Sequence, residues 1–365
     1  MRSEAINGLA AIIGGLVIAV LSFVPAAAMH YRRDGRFTRA DLLALIVVPV
    51  YGLALWTYTL LPLPDPDDVV CQSAILRPLH MVGDVRGVWN GSVLDLLRDP
   101  VFLQIVLNVA LFVPMGAILR LRYRRGLAWA FAVGLTVSLL IETTQLTGIW
   151  GLYDCAYRFF DVDDLVLNTS GAVLGSLLAL PLAQRLPSGS EQPAPTAPSL
   201  GRRVVALVSD LLTMLFVGAT AVVVWRIWLV ELGDTLPSQV DATEQALVQW
   251  GSALAVEAVP VLLRGVTIGE VVVRMRTEAR SRWWLLPQRL VKLVVGVGAV
   301  AVFGAWDSPW SSVSLLALAA AMSVAAVVTR DHRGLANQLA GLKVHVRAPT
   351  AEPTATSGPA DQLPS

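Results

Sequence analysis

Apolar residues along this chain gather into uninterrupted runs of about 20, the length a helix needs to cross the hydrocarbon core of a bilayer. Nine runs are read, at 6–28, 42–62, 101–119, 127–147, 164–184, 204–229, 246–263, 290–305 and 311–329. The eighth is short and rich in Gly and Val. It joins the ninth through the tight turn Trp306-Asp307-Ser308-Pro309-Trp310. The first run is longer than the apolar core of a signal peptide and meets a basic stop, His30-Tyr31-Arg32-Arg33-Asp34-Gly35-Arg36. It therefore reads as a retained helix, although Pro25-Ala26-Ala27-Ala28 resembles a cleavage site. The expected fold class is an all-α polytopic integral membrane protein with about nine transmembrane helices.

Composition sharpens this picture. Hydrophobic residues make up 55% of the 365 positions and charged residues 15%, against about 25% charged in soluble domains. A soluble enzyme, a nucleic-acid-binding domain and a disulfide-rich secreted module are excluded. Net charge is +1, so its distribution matters more than its sum. With the N-terminus outside, 22 of the 28 Lys and Arg residues fall in cytoplasmic segments, as the positive-inside rule requires. The expected topology is N-out/C-in in the cytoplasmic membrane. The chain divides into a first helix with its basic loop (1–41), a membrane module (42–186), a Pro/Ser/Ala-rich linker (187–200), a second module (201–347) and a disordered tail (348–365). In the long outer loop 63–100, Val85 to Leu97 reads as a short interfacial helix interrupted by Gly87 and Gly91.

Ionisable groups inside a membrane are costly and point to function. Ser138, Glu142 and Gln145 share one face of the fourth span. Asn108 in the third span and Asp163, Asp164 and Asn168 in the fifth fall at similar depth. One polar cluster opening to the outside is expected, with Arg158 and Asp161 close above it. Helix capping competes as a reading for Asp163 and Asp164, and interhelical hydrogen bonding for Asn108 and Asn168. Gly171-x-x-x-Gly175 favours close helix contact, and Pro114 sits inside the third span. No phosphate loop, nucleophile elbow or zinc spacing is present. No cofactor or metal is expected, carboxylates at a helix start being commoner than an Asp-Val-Asp-Asp cation site.

The ordered set Asn108-x-x-x-Phe112-x-Pro114-x-Gly116, Ser138-x-x-x-Glu142-x-x-Gln145 and Arg158-x-x-Asp161-x-Asp163-Asp164-x-x-x-Asn168-x-x-Gly171-x-x-x-Gly175 resembles the VanZ-like family over about residues 40–182. The resemblance implies an integral membrane protein of the bacterial envelope. Founding members are associated with low-level resistance to teicoplanin, a lipoglycopeptide that binds cell-wall precursors outside the cell.

In the second module, Asp210 lies in the sixth span two helical turns beyond Arg203, on the same face. A basic partner is expected for it, either Arg203 or a residue of the loop 264–292. That loop is strongly basic and carries Trp283-Trp284, a composition suited to anionic headgroups. Arg203-x-x-Ala206-x-x-x-Asp210, Gly265-Val266-Thr267-Ile268-Gly269 and the stretch Gly334 to Val344 resemble the RDD family over about 199–347. Some members are suggested to transport ions or other ligands. The pattern departs at Glu270, where the family has Lys, at Asn337, where it has Asp, and at Leu342, where it has Thr.

The two cysteines, Cys71 and Cys155, both fall outside, where an oxidising compartment permits a disulfide. Two small half-buried residues are the other reading. The expected partners are membrane lipids and a lipid-linked cell-wall precursor or lipoglycopeptide, with no nucleic acid. Oligomeric state is not written in these patterns. Binding or shielding of such an amphiphile is the favoured function. An enzyme using Glu142 and an Asp as acid and base, or a transporter through the second module, are the alternatives.

Overall fold

The computed structural model describes residues 2–65, 69–185, 197–232, 240–279 and 281–347. The expected linker, over 187–196, and the expected tail lie outside the described residues. Among those described, nine helical segments are long and apolar enough to cross a membrane: Asn7–Arg33, Arg39–Leu60, Pro100–Leu121, Leu127–Leu146, Val162–Arg185, Leu200–Val230, Ala242–Arg264, Leu285–Ala305 and Ser311–Val328. The chain is an all-α multi-pass membrane protein. The eighth segment begins at Leu285 rather than 290, because Leu285–Leu293 is an amphipathic helical start that a search for continuous apolar character passes over.

Contacts divide the chain into a first unit, Met1–Ala19 with Ile46–Gly189, and a second, Val20–Leu45 with Ser190–Ser365. Helices α1 (Arg2–Arg33) and α2 (Arg39–Leu60) contribute to both. Gly14 and Gly15 place no side chain against Leu53 and Val50, while Ala27 is fully buried in one cluster with Ala206.

In the first unit, the segment between α2 and the next membrane helix forms strand β1 (Ala74–Ile75) and helices α3 (His80–Val88) and α4 (Val93–Leu96). The single helix expected over Val85 to Leu97 is therefore two. Gly91, at φ 88°, turns the chain between them, and Ser92 caps α4. Its membrane helices are α2, α5 (Pro100–Leu121), α6 (Leu127–Leu146) and α8 (Val162–Leu178), and α8 packs against both α5 and α6. The turn α7 (Gly148–Gly151) and strand β2 (Phe160–Asp161) lead into α8, and α9 (Leu180–Arg185) extends it. Asp99 caps α5, with Pro100 at the first position, where its missing N–H costs nothing. Leu55, Phe112, Met115, Ile141 and Ala172 make the core. Helices α5 and α8 run in the same direction and touch backbone to backbone: a Cβ on Gly116 would lie 1.8 Å from the Ala172 carbonyl oxygen.

The second unit is built on α10 (Leu200–Ile227) and α11 (Ala242–Arg264). Gly265, at φ 75°, ends α11 in the left-handed conformation. Then follow α12 (Ile268–Val272), strand β3 (Met275–Glu278), α13 (Leu285–Leu293), α14 (Ala299–Ala305), α15 (Ser311–Val328), α16 (Gly334–Leu339) and strand β4 (Lys343–Val346). Strands β3 and β4 pair antiparallel, Met275 opposite Val346. A π-helical turn at Val294–Gly298 joins α13 to α14, where Gly296 leaves helical geometry.

Candidate functional site

The C-terminal half of α6 and the N-terminal half of α8 carry a group of buried polar side chains. Glu142 is buried, and its carboxylate accepts the Asp161 backbone N–H at 3.0 Å. Asp164 accepts from the Asn108 amide at 2.5 Å. Asn168 donates to the Ser138 hydroxyl at 2.9 Å. The negative charges of Asp164 and Asp161 and the positive charge of Arg158 all reach Glu142. Neither Glu142 nor Asp164 forms an ion pair with a base among the described residues. The arrangement is two carboxyl groups presented from neighbouring helices, backed by amides and a hydroxyl. It can accept hydrogen bonds from a polar ligand or hold and pass a proton.

The expected cluster is brought together only in part. Gln145 turns to α2 and donates to the Thr59 carbonyl at 2.8 Å. Arg158 does the same, at 3.1 Å to Thr59 and 3.4 Å to Leu61. Both fix the C-terminal end of α2, whose last carbonyls lack helical partners. Asp161, not Asp163 or Asp164, caps α8, accepting from the Asp163 N–H at 2.8 Å. Asp163 serves another purpose. Its buried carboxylate takes the N–H groups of Leu79 at 2.5 Å and Met81 at 2.9 Å, and Leu79 is held at φ 63° to allow it.

His80 completes this clasp, and nothing in the sequence singled it out. Its Nδ1 lies 2.8 Å from Asp163 and 3.1 Å from the Arg77 carbonyl, and its Nε2 lies 3.3 Å from Asp161. Both ring nitrogens face acceptors, so the doubly protonated ring satisfies every neighbour. Burial opposes that charge, but the Arg77 carbonyl and the carboxylates of Asp161, Asp163 and Asp84 outweigh it and raise the pKa. Asp161 is also raised, by burial above all. These three side chains have a donor set that fits a cation, yet the imidazolium already supplies the positive charge between the carboxylates.

A raised folded-state pKa means stabilisation that is complete below the ordinary value and lost as pH rises through the raised one. The clasp should therefore loosen above neutral pH. Hydrogen exchange at the Leu79 and Met81 amides, corrected for intrinsic rates, should accelerate from pH 6 to pH 9 in the wild type. His80→Gln should flatten that dependence; an unchanged profile in the variant would show that His80 does not govern it.

The same loop is stitched on its other side. Cys71 and Cys155 form a disulfide with Cα atoms 5.5 Å apart. Gln72 N–H donates to the Ala156 carbonyl at 2.8 Å, and β1 pairs in parallel with β2. The hydroxyls of Tyr153 and Tyr157 donate to the Pro64 and Leu60 carbonyls. Residues 71–81 are thus fixed beside the entrance to α8.

The second unit holds a separate buried cluster. Glu270 accepts from Arg203 at 2.7 Å, from Lys292, and from the Asn337 amide at 2.8 Å. It also closes a capping box with Thr267. Burial opposes its ionisation, but Lys292 and Arg203 prevail and hold it down at about 2. The basic partner expected for Asp210 is therefore spent on Glu270. Asp210 is satisfied instead by the Thr267 hydroxyl at 2.8 Å and the Gly269 N–H at 2.5 Å. Arg202, beside Arg203, is buried as well. It donates to the carbonyls of Val273 and Gly35 and lies over the Tyr31 ring.

Residues 48–184 match the model of the VanZ/LLP1 family. That stretch lies wholly in the first unit and contains every polar residue of its outer cluster. The match does not extend into 199–347. No curated protein and no solved structure matches the chain.

Proposed function

We propose that the first unit, whose residues 48–184 are VanZ-like, binds an amphiphile at the outer leaflet of the bacterial plasma membrane. The ligand class is a lipid-linked cell-wall precursor or a lipoglycopeptide. One observation carries this reading: Glu142 and Asp164 feel each other's charge from neighbouring helices, and neither is closed by an ion pair among the described residues. A ligand whose polar head donates hydrogen bonds, and whose tail lies in lipid, fits such a site. The positive-inside distribution supports the outward orientation, as does a disulfide above the site, which belongs to an oxidising compartment. The proximity of the two carboxyl groups favours acid–base catalysis on the same lipid-linked substrate as the second reading.

The RDD-like character of 199–347 is likewise our inference. It is supported by Asp210 meeting the Gly-x-Thr-x-Gly turn through Thr267 and Gly269. Transport through that unit is the weaker alternative. Asn337 replaces an ionisable group and is spent on Glu270.

The test is the teicoplanin and vancomycin sensitivity of a susceptible host expressing the wild type, Glu142→Gln or Asp164→Asn at matched membrane levels. Selective protection against teicoplanin by the wild type alone is expected. No protection by the wild type would overturn the role, and protection by the variants would overturn the site.

A further inference from the structure

Five arginines of the second unit converge on one cavity of about 810 Å³: Arg32, Arg264, Arg274, Arg276 and Arg347. They come from the end of α1, the end of α11, strand β3 with the residue before it, and the residue after β4. The rest of the lining is one threonine and apolar side chains, with no carboxylate and no aromatic ring. Asp34, two residues beyond Arg32, is engaged by Arg33 at 3.0 Å.

Like charges do not gather without a return. Arg274 is held at φ 59°, a conformation its side chain makes costly. Burial, and then repulsion from Arg347, Arg32 and Arg276, depresses its pKa. Both costs are sustained by the fold and are offset when an anion enters. Guanidinium groups match phosphate oxygens two at a time, which suits five of them to more than one phosphate. The lack of an aromatic surface gives a nucleobase nothing to stack on.

Position decides the source of the phosphate. Arg32 and Arg264 sit in the last turns of two membrane-spanning segments, so the cavity lies at headgroup depth. Trp283 and Trp284, 92% and 59% exposed, precede the Leu285–Ala305 segment, where aromatic side chains mark the membrane interface.

We propose that this cavity binds the phosphodiester headgroup of an anionic phospholipid, preferentially one carrying two phosphates. Basic pockets among membrane helices on the cytoplasmic side take such headgroups.

The test uses the full-length protein in detergent, with bound lipid read by native mass spectrometry. The probes are diphosphatidylglycerol, phosphatidylglycerol, phosphatidylcholine and inorganic pyrophosphate. Retention of diphosphatidylglycerol should exceed that of phosphatidylcholine by about tenfold. It should fall by a similar factor in Arg276→Gln/Arg347→Gln, both exposed positions chosen so that the variant folds. Equal retention of the two lipids, or no loss in the double variant, would overturn the site. Pyrophosphate displacing the lipid at equal concentration would overturn the lipid assignment in favour of a soluble phosphate.

Discussion

Glu270→Gln should lower the stability of the second unit by about 3–5 kcal/mol, the cost of stripping one partner from a buried ionic cluster. Glu270 and Lys292 are 0% and 1% exposed and Arg203 5%. Without the carboxylate, two cations face each other in a region closed to water. The glutamine also turns an N–H₂ toward donors that need an acceptor. Its one remaining oxygen can replace only one of the two carboxylate oxygens, so either the return bond to the Thr267 N–H in the capping box of α12 or the bond from Asn337 is lost. Thermal unfolding of the purified full-length protein should show the drop. Lys292→Met should show a comparable one, and the double variant less than the sum, since it leaves one cation unpaired rather than two. A Glu270→Gln variant that melts with the wild type would mean that the cluster is not a structural ion pair. The pH sign follows from the lowered pKa. Stabilisation by Glu270 is complete above its ordinary value and is lost as pH falls toward about 2, so this cluster should survive mild acid.

That cluster also shows what can be read from one sequence. Membrane spans are written locally, in continuous apolar runs, and nine were legible to within a few residues. A close helix contact on α8 was legible too, because Gly-x-x-x-Gly states it directly, but not that α5 makes it. Partner choice is not local. Asp210 stands two turns from Arg203 on one helix face, and so looked like its partner. Glu270, which takes Arg203, is 67 positions away. It prevails because neutral donors already satisfy Asp210. His80 was illegible for the same reason: an isolated histidine becomes a bridge only when a loop 80 or so residues upstream is folded onto Asp161 and Asp163. Gln145 and Arg158 show the converse. Their place along the chain does not say whether a polar group faces a ligand or the last carbonyls of a neighbouring helix.

Substitution at the α5–α8 crossing should be the most damaging change in the first unit. A Cβ on Gly175 would stand 1.9 Å from the Val113 carbonyl oxygen, and one on Gly171 2.1 Å from that of Val109. The obstacle is backbone on both sides, so no side-chain rotation relieves it, and the helices must separate. Overpacking of one methyl costs about 1–3 kcal/mol in a well-packed core, and Gly175→Val adds two more carbons at the same contact. Gly175→Val should fail to accumulate in membranes. Gly52→Val is the matched control, a glycine in a membrane span whose added Cβ meets nothing within 4 Å. Equal accumulation of the two would show that the helices tolerate separation. Gly171→Ala probes the consequence for the site. Asn108 on α5 and Asp164 on α8 are joined across this crossing at 2.5 Å. Spreading the helices near Gly171 lengthens that bond before it unfolds the unit. A Gly171→Ala protein that reaches the membrane should therefore lose the activity proposed for Glu142 and Asp164 while keeping both carboxylates, because the Asn108 bond that positions Asp164 depends on a glycine that touches neither.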